Sequence, residues 1–253
     1  MTIALTRAVS PALAQCELTH IDRVSIDVNR ARLQHCEYEN ALRRLGVEVK
    51  ALEAEPELPD SVFVEDTAVV LDELAVMTRP GAVSRRAEVQ TIAQALAPYR
   101  KLAWVPEPAT IDGGDVLRFG KTLYVGLSTR SNEACIGALR ALVQPFGYRV
   151  QGVALSGCLH LKTAVTAISG ERLLINPNWV NPGDFGSAAF VEVHPNEPFG
   201  ANALLIGEAV IYPTTFPRTL ERVAQFVKTI ECVDVSELAK AEGAVTCCSL
   251  VLE

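Results

Sequence analysis

The chain has 253 residues, 49% of them hydrophobic and 21% charged, with a formal net charge of −7. That length can bury a sizeable core, while the acidic balance argues against nucleic acid and anionic membrane surfaces as partners. No apolar run is long enough to cross a bilayer, and seven cysteines without a Cys-x-x-Cys spacing argue against a disulfide scaffold and a structural zinc site.

Met1 to Arg7 lacks the features of a signal peptide, so a reduced, cytoplasmic protein is predicted. Thr2 to Arg7 reads as an opening strand. Asp27 is placed to cap a helix reaching about Leu45 and ended by Gly46, followed by a strand at Val47-Glu48-Val49. A hairpin then joins Ala68–Leu71 to Leu74–Met77 across Asp72-Glu73. The same order returns: a helix opened by Ser84 and running to about Ala97, a strand Leu102–Val105, and a hairpin joining Val116–Phe119 to Thr122–Val125. A third helix, from Ser131 or Asn132 to about Phe146, leads to the strand Tyr148–Val150 and the hairpin Ala164–Ile168 with Arg172–Ile175. A fourth hairpin pairs Ala203–Ile206 with Ala209–Tyr212, a last helix runs from about Arg218 to Lys228, and one late strand spans Val245 to Leu252.

Hairpins with short polar turns, recurring at intervals, mark a repeat architecture. The fifth unit has a single late strand, and Thr2 to Arg7 is its available partner. Pairing the two ends would close the set into a ring and remove exposed edges. An open α/β sheet with unrelated hairpins is the alternative. Residues 1–253 are read as one domain.

In a ring of repeats, equivalent positions face one axis. The residues ahead of each hairpin's first strand are Phe63-Val64-Glu65-Asp66-Thr67, Thr110-Ile111-Asp112-Gly113-Gly114-Asp115, Cys158-Leu159-His160-Leu161-Lys162-Thr163, Gly200-Ala201-Asn202 and Thr246-Cys247-Cys248. Each alone has an ordinary explanation: a solvated acidic turn, a plain glycine turn, a core histidine between leucines, an inert buried thiol. Together they supply carboxylates, an acid/base and a nucleophile at matching places in the repeat.

Phe63-Val64-Glu65-Asp66, Thr78-Arg79-Pro80-Gly81 with Ser84-Arg85-Arg86, Ile111-Asp112-Gly113-Gly114-Asp115-Val116-Leu117, Val125-Gly126-Leu127-Ser128-Thr129-Arg130, Leu159-His160-Leu161-Lys162 and Thr246-Cys247-Cys248-Ser249 resemble the dimethylarginine dimethylaminohydrolase family over nearly the whole chain. The resemblance implies the five-bladed α/β-propeller (pentein) fold of the guanidine-modifying superfamily, built from ββαβ repeats. It implies Cys247 as nucleophile, His160 as general acid/base and Asp112 as the carboxylate orienting His160. It further implies Asp60, Glu65 and Asp66 around the guanidinium, Arg85 and Arg130 on the α-carboxylate, and backbone carbonyls near Leu18 and Ala241 for the α-amino group. The chain departs from the family pattern at Glu242, where relatives tend to have Asp, and at Thr163, where they tend to have Ser.

The implied activity is hydrolysis of Nω-methylated arginine to citrulline and an alkylamine through a covalent thiouronium on Cys247. It needs no metal and no organic cofactor. The expected partner is the small cationic substrate, and a homodimer is compatible with the sequence. An arginine deiminase would release ammonia from unmethylated arginine instead, and a non-catalytic pentein-fold binding module would release neither amine. Gln15 to Asp22, between the first strand and the first helix, is a lid candidate by position.

Overall fold

In the computed structural model, which describes residues 2–253, fifteen strands form five three-stranded sheets. The first sheet combines β1 (Ile3–Arg7) and β2 (Glu48–Leu52) with the last strand, β15 (Leu250–Leu252). The second holds β3 (Ala68–Val70), β4 (Leu74–Met77) and β5 (Lys101–Trp104), and the third β6 (Val116–Phe119), β7 (Thr122–Leu127) and β8 (Arg149–Ala154). The fourth is built from β9 (Val165–Ala167), β10 (Arg172–Ile175) and β11 (Ala189–Glu192), the fifth from β12 (Leu204–Ile206), β13 (Ala209–Pro213) and β14 (Thr229–Val233).

Every sheet repeats one pairing rule. Its middle strand is antiparallel to one neighbour and parallel to the other. A parallel pair needs a crossover, and the chain supplies one per unit. Helix α1 (Val28–Arg44) links β1 to β2, α2 (Glu88–Leu96) links β4 to β5, and α3 (Ala134–Val143) links β7 to β8. A short turn of helix, α4 (Leu161–Ala164), precedes β9, and α5 (Pro217–Val223) links β13 to β14. The fourth crossover has only the 3-10 turn Pro182–Phe185.

The core is divided in the same way. Ile92 and Leu96 of α2 pack with Leu5 of the first sheet and Met77 of the second, and Leu139 of α3 packs between Val76 and Val125. Tyr38 and Leu42 of α1 join Ala4 to Ile211 and Val233 of the fifth sheet. Where the fourth crossover lacks a helix, buried Phe185 fills the wedge, its ring tilted against Tyr124 with the centroids 4.9 Å apart. Each wedge between sheets thus contains apolar side chains drawn from two units.

The chain ends meet as expected, with Ile3 opposite Leu252 and Leu5 opposite Leu250 in an antiparallel pair. Asp27 caps α1, accepting from the Asn29 and Arg30 amides, and Gly46 follows the helix with φ 79°. Several expectations change, and among them the last helix ends at Val223 rather than about Lys228. The last strand begins at Leu250 rather than Val245, because residues 245–249 form turns that carry the thiols. Ser84 caps nothing: α2 starts at Glu88 after a 3-10 turn, and the Ser84 hydroxyl donates to Glu17 Oε1 at 2.6 Å. The third helix starts at Ala134, since the Asn132 side chain is engaged by the Thr110 amide and the Pro108 carbonyl.

Candidate active site

The candidate catalytic side chains and the acidic pair Glu65-Asp66 come from turns just ahead of a sheet's first strand, whereas Arg85 and Arg130 follow second strands. Glu65 and Asp66 lie in the 3-10 turn Val64–Thr67 before β3, and Asp112 precedes the turn Gly113–Asp115 before β6. His160 opens α4, and Cys247 sits in the turns before β15. The Glu65 amide donates to the Cys247 carbonyl at 3.1 Å, joining the first and last of these turns directly.

His160 is held on both sides. Its Nε2 lies 3.1 Å from Asp112 Oδ2, and its Nδ1 is 3.8 Å from Asp66 Oδ1. Asp112 is fully buried, and its second oxygen accepts from the Gly81 amide at 2.9 Å. Asp66 Oδ1 accepts from the Gly114 amide at 3.0 Å, and its Oδ2 is ion-paired with Arg85. A Cβ on Gly114 would stand 2.7 Å from both His160 Nδ1 and Asp66 Oδ1, so the imidazole rests against a position where only glycine fits.

These contacts set the charges. Burial works against an imidazolium at His160, but Asp66, Asp112 and Asp115 outweigh it and raise its pKa to about 9. Burial would also raise Asp66, yet His160 and Arg85 hold it down to about 2. The Cys247 thiol is pushed well above its ordinary range by burial and then by the Glu65 and Asp66 charges. The Ala244 amide donates to Cys247 Sγ at 3.3 Å and works in the opposite direction.

Cys247 and His160 line one enclosed cavity with Asp60, Asp66, Arg85 and Arg130. Ala241 forms part of the wall and Glu17 part of the roof. Residues 17–20 are tied across that roof: the Glu17 amide donates to Asp60 Oδ2 at 3.1 Å, and Arg130 Nη2 donates to Thr19 Oγ1 at 3.0 Å. Leu18 lies between those two ties.

The other expected binding residues differ in setting. Arg85 is already committed: Nε and Nη2 fork onto Glu88, Nη2 also reaches the Phe63 carbonyl, and Nη1 reaches Asp66. One of its five N–H groups, on Nη1, remains for a ligand. Glu65 faces away from the cavity. Its oxygens take Lys162 Nζ at 2.7 Å and Thr246 Oγ1 at 2.8 Å, and it lines a separate channel of about 250 Å³ running between the sheets' first strands.

Several supporting residues stand in the motifs quoted above without a role assigned to them. Asp115 accepts from the Ser128 and Ser131 hydroxyls, both at 2.6 Å, and from the Leu161 amide at 3.0 Å, fixing the backbone beside His160. Burial raises its carboxyl to about 6 against those contacts. Asn202, from the fourth turn, donates to Thr246 Oγ1 and accepts from the Thr246 amide, steadying the turn that carries Cys247. Periodicity gives these residues no mark, though their place before a first strand does.

Asp66, Asp112 and His160 also bring ligand atoms within 4.8 Å of one another, as a metal would require, among the described residues. Those atoms are already engaged by Arg85, Gly114, Gly81 and one another, which suits charge control of the imidazole.

Residues 17–180 match the model of the family described as N,N dimethylarginine dimethylhydrolase, eukaryotic. The N(G),N(G)-dimethylarginine dimethylaminohydrolase of Streptomyces coelicolor is 41% identical over 251 residues, covering 98% of this chain and 96% of that protein. The chain belongs to the dimethylarginine dimethylaminohydrolase family. It is accordingly a hydrolase acting on C–N bonds. The Pseudomonas aeruginosa family member is 33% identical over 226 residues, covering 88% and 89% of the two chains. A solved cysteine-to-serine variant of a Pseudomonas aeruginosa family member, complexed with citrulline, superposes with a TM-score of 0.95 at 31% identity, covering 99% of this chain and 98% of that one. A solved family adduct with S-methyl-L-thiocitrulline gives a TM-score of 0.93 at 30% identity, covering 99% of each chain. The N-terminal domain of a cyanobacterial arginine dihydrolase shares the fold alone, at 18% identity and a TM-score of 0.83. Among the described residues, no helix is long and apolar enough to cross a membrane.

Proposed function

We propose that the chain hydrolyses Nω-methylated arginines to citrulline and dimethylamine or methylamine, through a covalent adduct on Cys247. One observation carries this reading. A thiol and a carboxylate-charged imidazole share a closed cavity with anionic groups around them and arginines beside them. Asp60 and Asp66 would take the substrate's guanidinium, with Glu65 adding its charge from behind. Arg130 and the remaining Arg85 N–H would take the α-carboxylate, a match of planar donors to a planar acceptor. Carbonyls at Leu18 and Ala241 would receive the α-amino group.

The protonation states then order the steps. At rest Cys247 is a thiol and His160 an imidazolium, since carboxylates favour the proton on both. A guanidinium neutralises that field, so its arrival lowers the thiol pKa and the proton leaves to solvent. The thiolate attacks the guanidinium carbon and gives a neutral tetrahedral adduct. His160 protonates the substituted nitrogen, the C–N bond breaks, and amine leaves behind a cationic thiouronium. His160, now neutral, takes a proton from water as its oxygen bonds to the same carbon. Collapse expels the thiolate, and loss of the last proton leaves citrulline with the resting thiol and imidazolium restored. One water is consumed and no electrons change hands.

The test is citrulline formation with identification of the amine, from asymmetric dimethylarginine and from arginine in parallel. Dimethylamine with equimolar citrulline supports the proposal. Ammonia from arginine, with none of the alkylamine, overturns it in favour of a deiminase.

A further inference from the structure

Glu242 has a left-handed backbone, with φ 58°, and is the one non-glycine residue among those described that does. A side chain with a Cβ occupies that region at a cost, and such residues persist where the surroundings impose them. Here both neighbours are pinned. The Ala241 and Gly243 amides each donate to the Leu238 carbonyl, and a Cβ on Gly243 would lie 2.1 Å from the Phe63 ring. The resulting direction of the Glu242 side chain is specific. Its Oε2 accepts from the Thr19 amide and its Oε1 from the His20 amide, both at 2.7 Å.

Those two amides belong to the roof of the catalytic cavity. Arg130 adds one side-chain contact there, to Thr19 Oγ1, but His20 and Ile21 overlie a hollow of about 210 Å³ rather than packed core. Free space in the closed cavity is about 20 Å³, room for roughly one water. An amino acid with a guanidino side chain enters only if residues 17–20 lift, and the Glu242 carboxylate holds two of the backbone amides that must then be released. On closing, the same pair of bonds fixes the peptide that follows Leu18, and with it the direction of the Leu18 carbonyl.

We propose that Glu242 is a positioning residue that clamps residues 17–20 over the bound amino acid and aims the Leu18 carbonyl at its α-amino group. The proposal rests on the reading of the cavity as the amino-acid site. The clamp touches no reacting atom, so it stabilises bound substrate and transition state alike, and its loss falls on KM rather than kcat.

The test compares amide hydrogen exchange at residues 16–22, and steady-state kinetics on asymmetric dimethylarginine, in the wild type, Glu242→Gly and Glu242→Gln. Glycine accepts the left-handed backbone without strain, so Glu242→Gly folds while losing the clamp. It is expected to speed exchange at Thr19 and His20 and raise KM, each by about tenfold or more, with kcat close to wild type. Glu242→Gln keeps one acceptor oxygen and falls between the two. Unchanged exchange at Thr19 and His20 overturns the proposal, as does a loss of kcat at unchanged KM, which would place Glu242 in the chemistry. Faster exchange in variants of a protein that does not turn over dimethylarginine would leave the clamp standing and sink the substrate reading instead.

Discussion

Asp112 lies closer to His160 than to Arg130, the other charged side chain of the candidate site beside it, and its carboxylate accounts for part of the raised imidazole pKa. Asp112→Asn keeps the shape and removes the charge. In the proposed mechanism His160 is protonated to expel the amine, so the high-pH limb of kcat/KM, near 9 in the free enzyme, is expected to move to lower pH in this variant. A pH–rate profile of the two proteins checks it, and an unmoved limb would assign that limb to another group. The same shift bears on stability. His160 has a folded pKa above its unfolded value of about 6.5, so its contribution is complete below that pH and is lost as pH rises through about 9. Denaturant unfolding from pH 6 to 9.5 is expected to show a decline that His160→Gln flattens. At the thiol, Cys247→Ser is expected to keep the fold and lower turnover by at least about a thousandfold, because a serine hydroxyl has no comparable acidity for the substrate's charge to exploit. Most of these residues were legible in the chain as motifs ahead of each hairpin. The inward commitments were not. Nothing in the sequence distinguishes Glu65, turned toward Lys162 and Thr246, from Asp66 beside it, which faces the imidazole. That difference arises from a 3-10 turn, in which adjacent side chains point apart.

Among the elements, the hairpins were the clearest to read because their turns carry Asp72-Glu73, Gly120-Lys121, Ser169-Gly170 and Gly207-Glu208, and two of these glycines have positive φ. The outer strands were harder. Ala189–Glu192 went unrecognised, since it lies at an edge with one buried residue in four and carries little alternation. Thr229–Val233 has the same defect, with only Val233 buried. Helix starts were misplaced where a hydroxyl or amide that looks like a cap is spent elsewhere, as Ser84 is on Glu17. The wedge-filling role of each helix gives an energetic expectation. Leu139 of α3 is fully buried between the second and third sheets, so Leu139→Ala is expected to cost about 2–5 kcal/mol. Asp27→Ala, which removes the α1 cap and its two amide contacts, is expected to cost about 1 kcal/mol. Urea titrations of both measure the contrast.

Over the whole molecule, the candidate catalytic groups arrive from turns far apart in sequence, each ahead of its sheet's first strand. The closing pair of strands, β1 and β15, ties the last turn to α1 as well: Tyr38 Oη and Ser249 Oγ are 2.6 Å apart in a buried contact just behind the thiols. This pairing has a topological consequence. With residue 3 opposite residue 252, the antiparallel pair β15–β1 matches the pair that each other sheet joins by a hairpin turn. A circular permutant, with residue 253 joined to residue 2 by a short glycine linker and new ends cut at the exposed Gly207-Glu208 turn, is expected to fold and retain its activity. A cut inside residues 245–249 would break the turns that carry Cys247. The molecule then tolerates a change in the order in which its five units are strung, provided each keeps its inner turn whole.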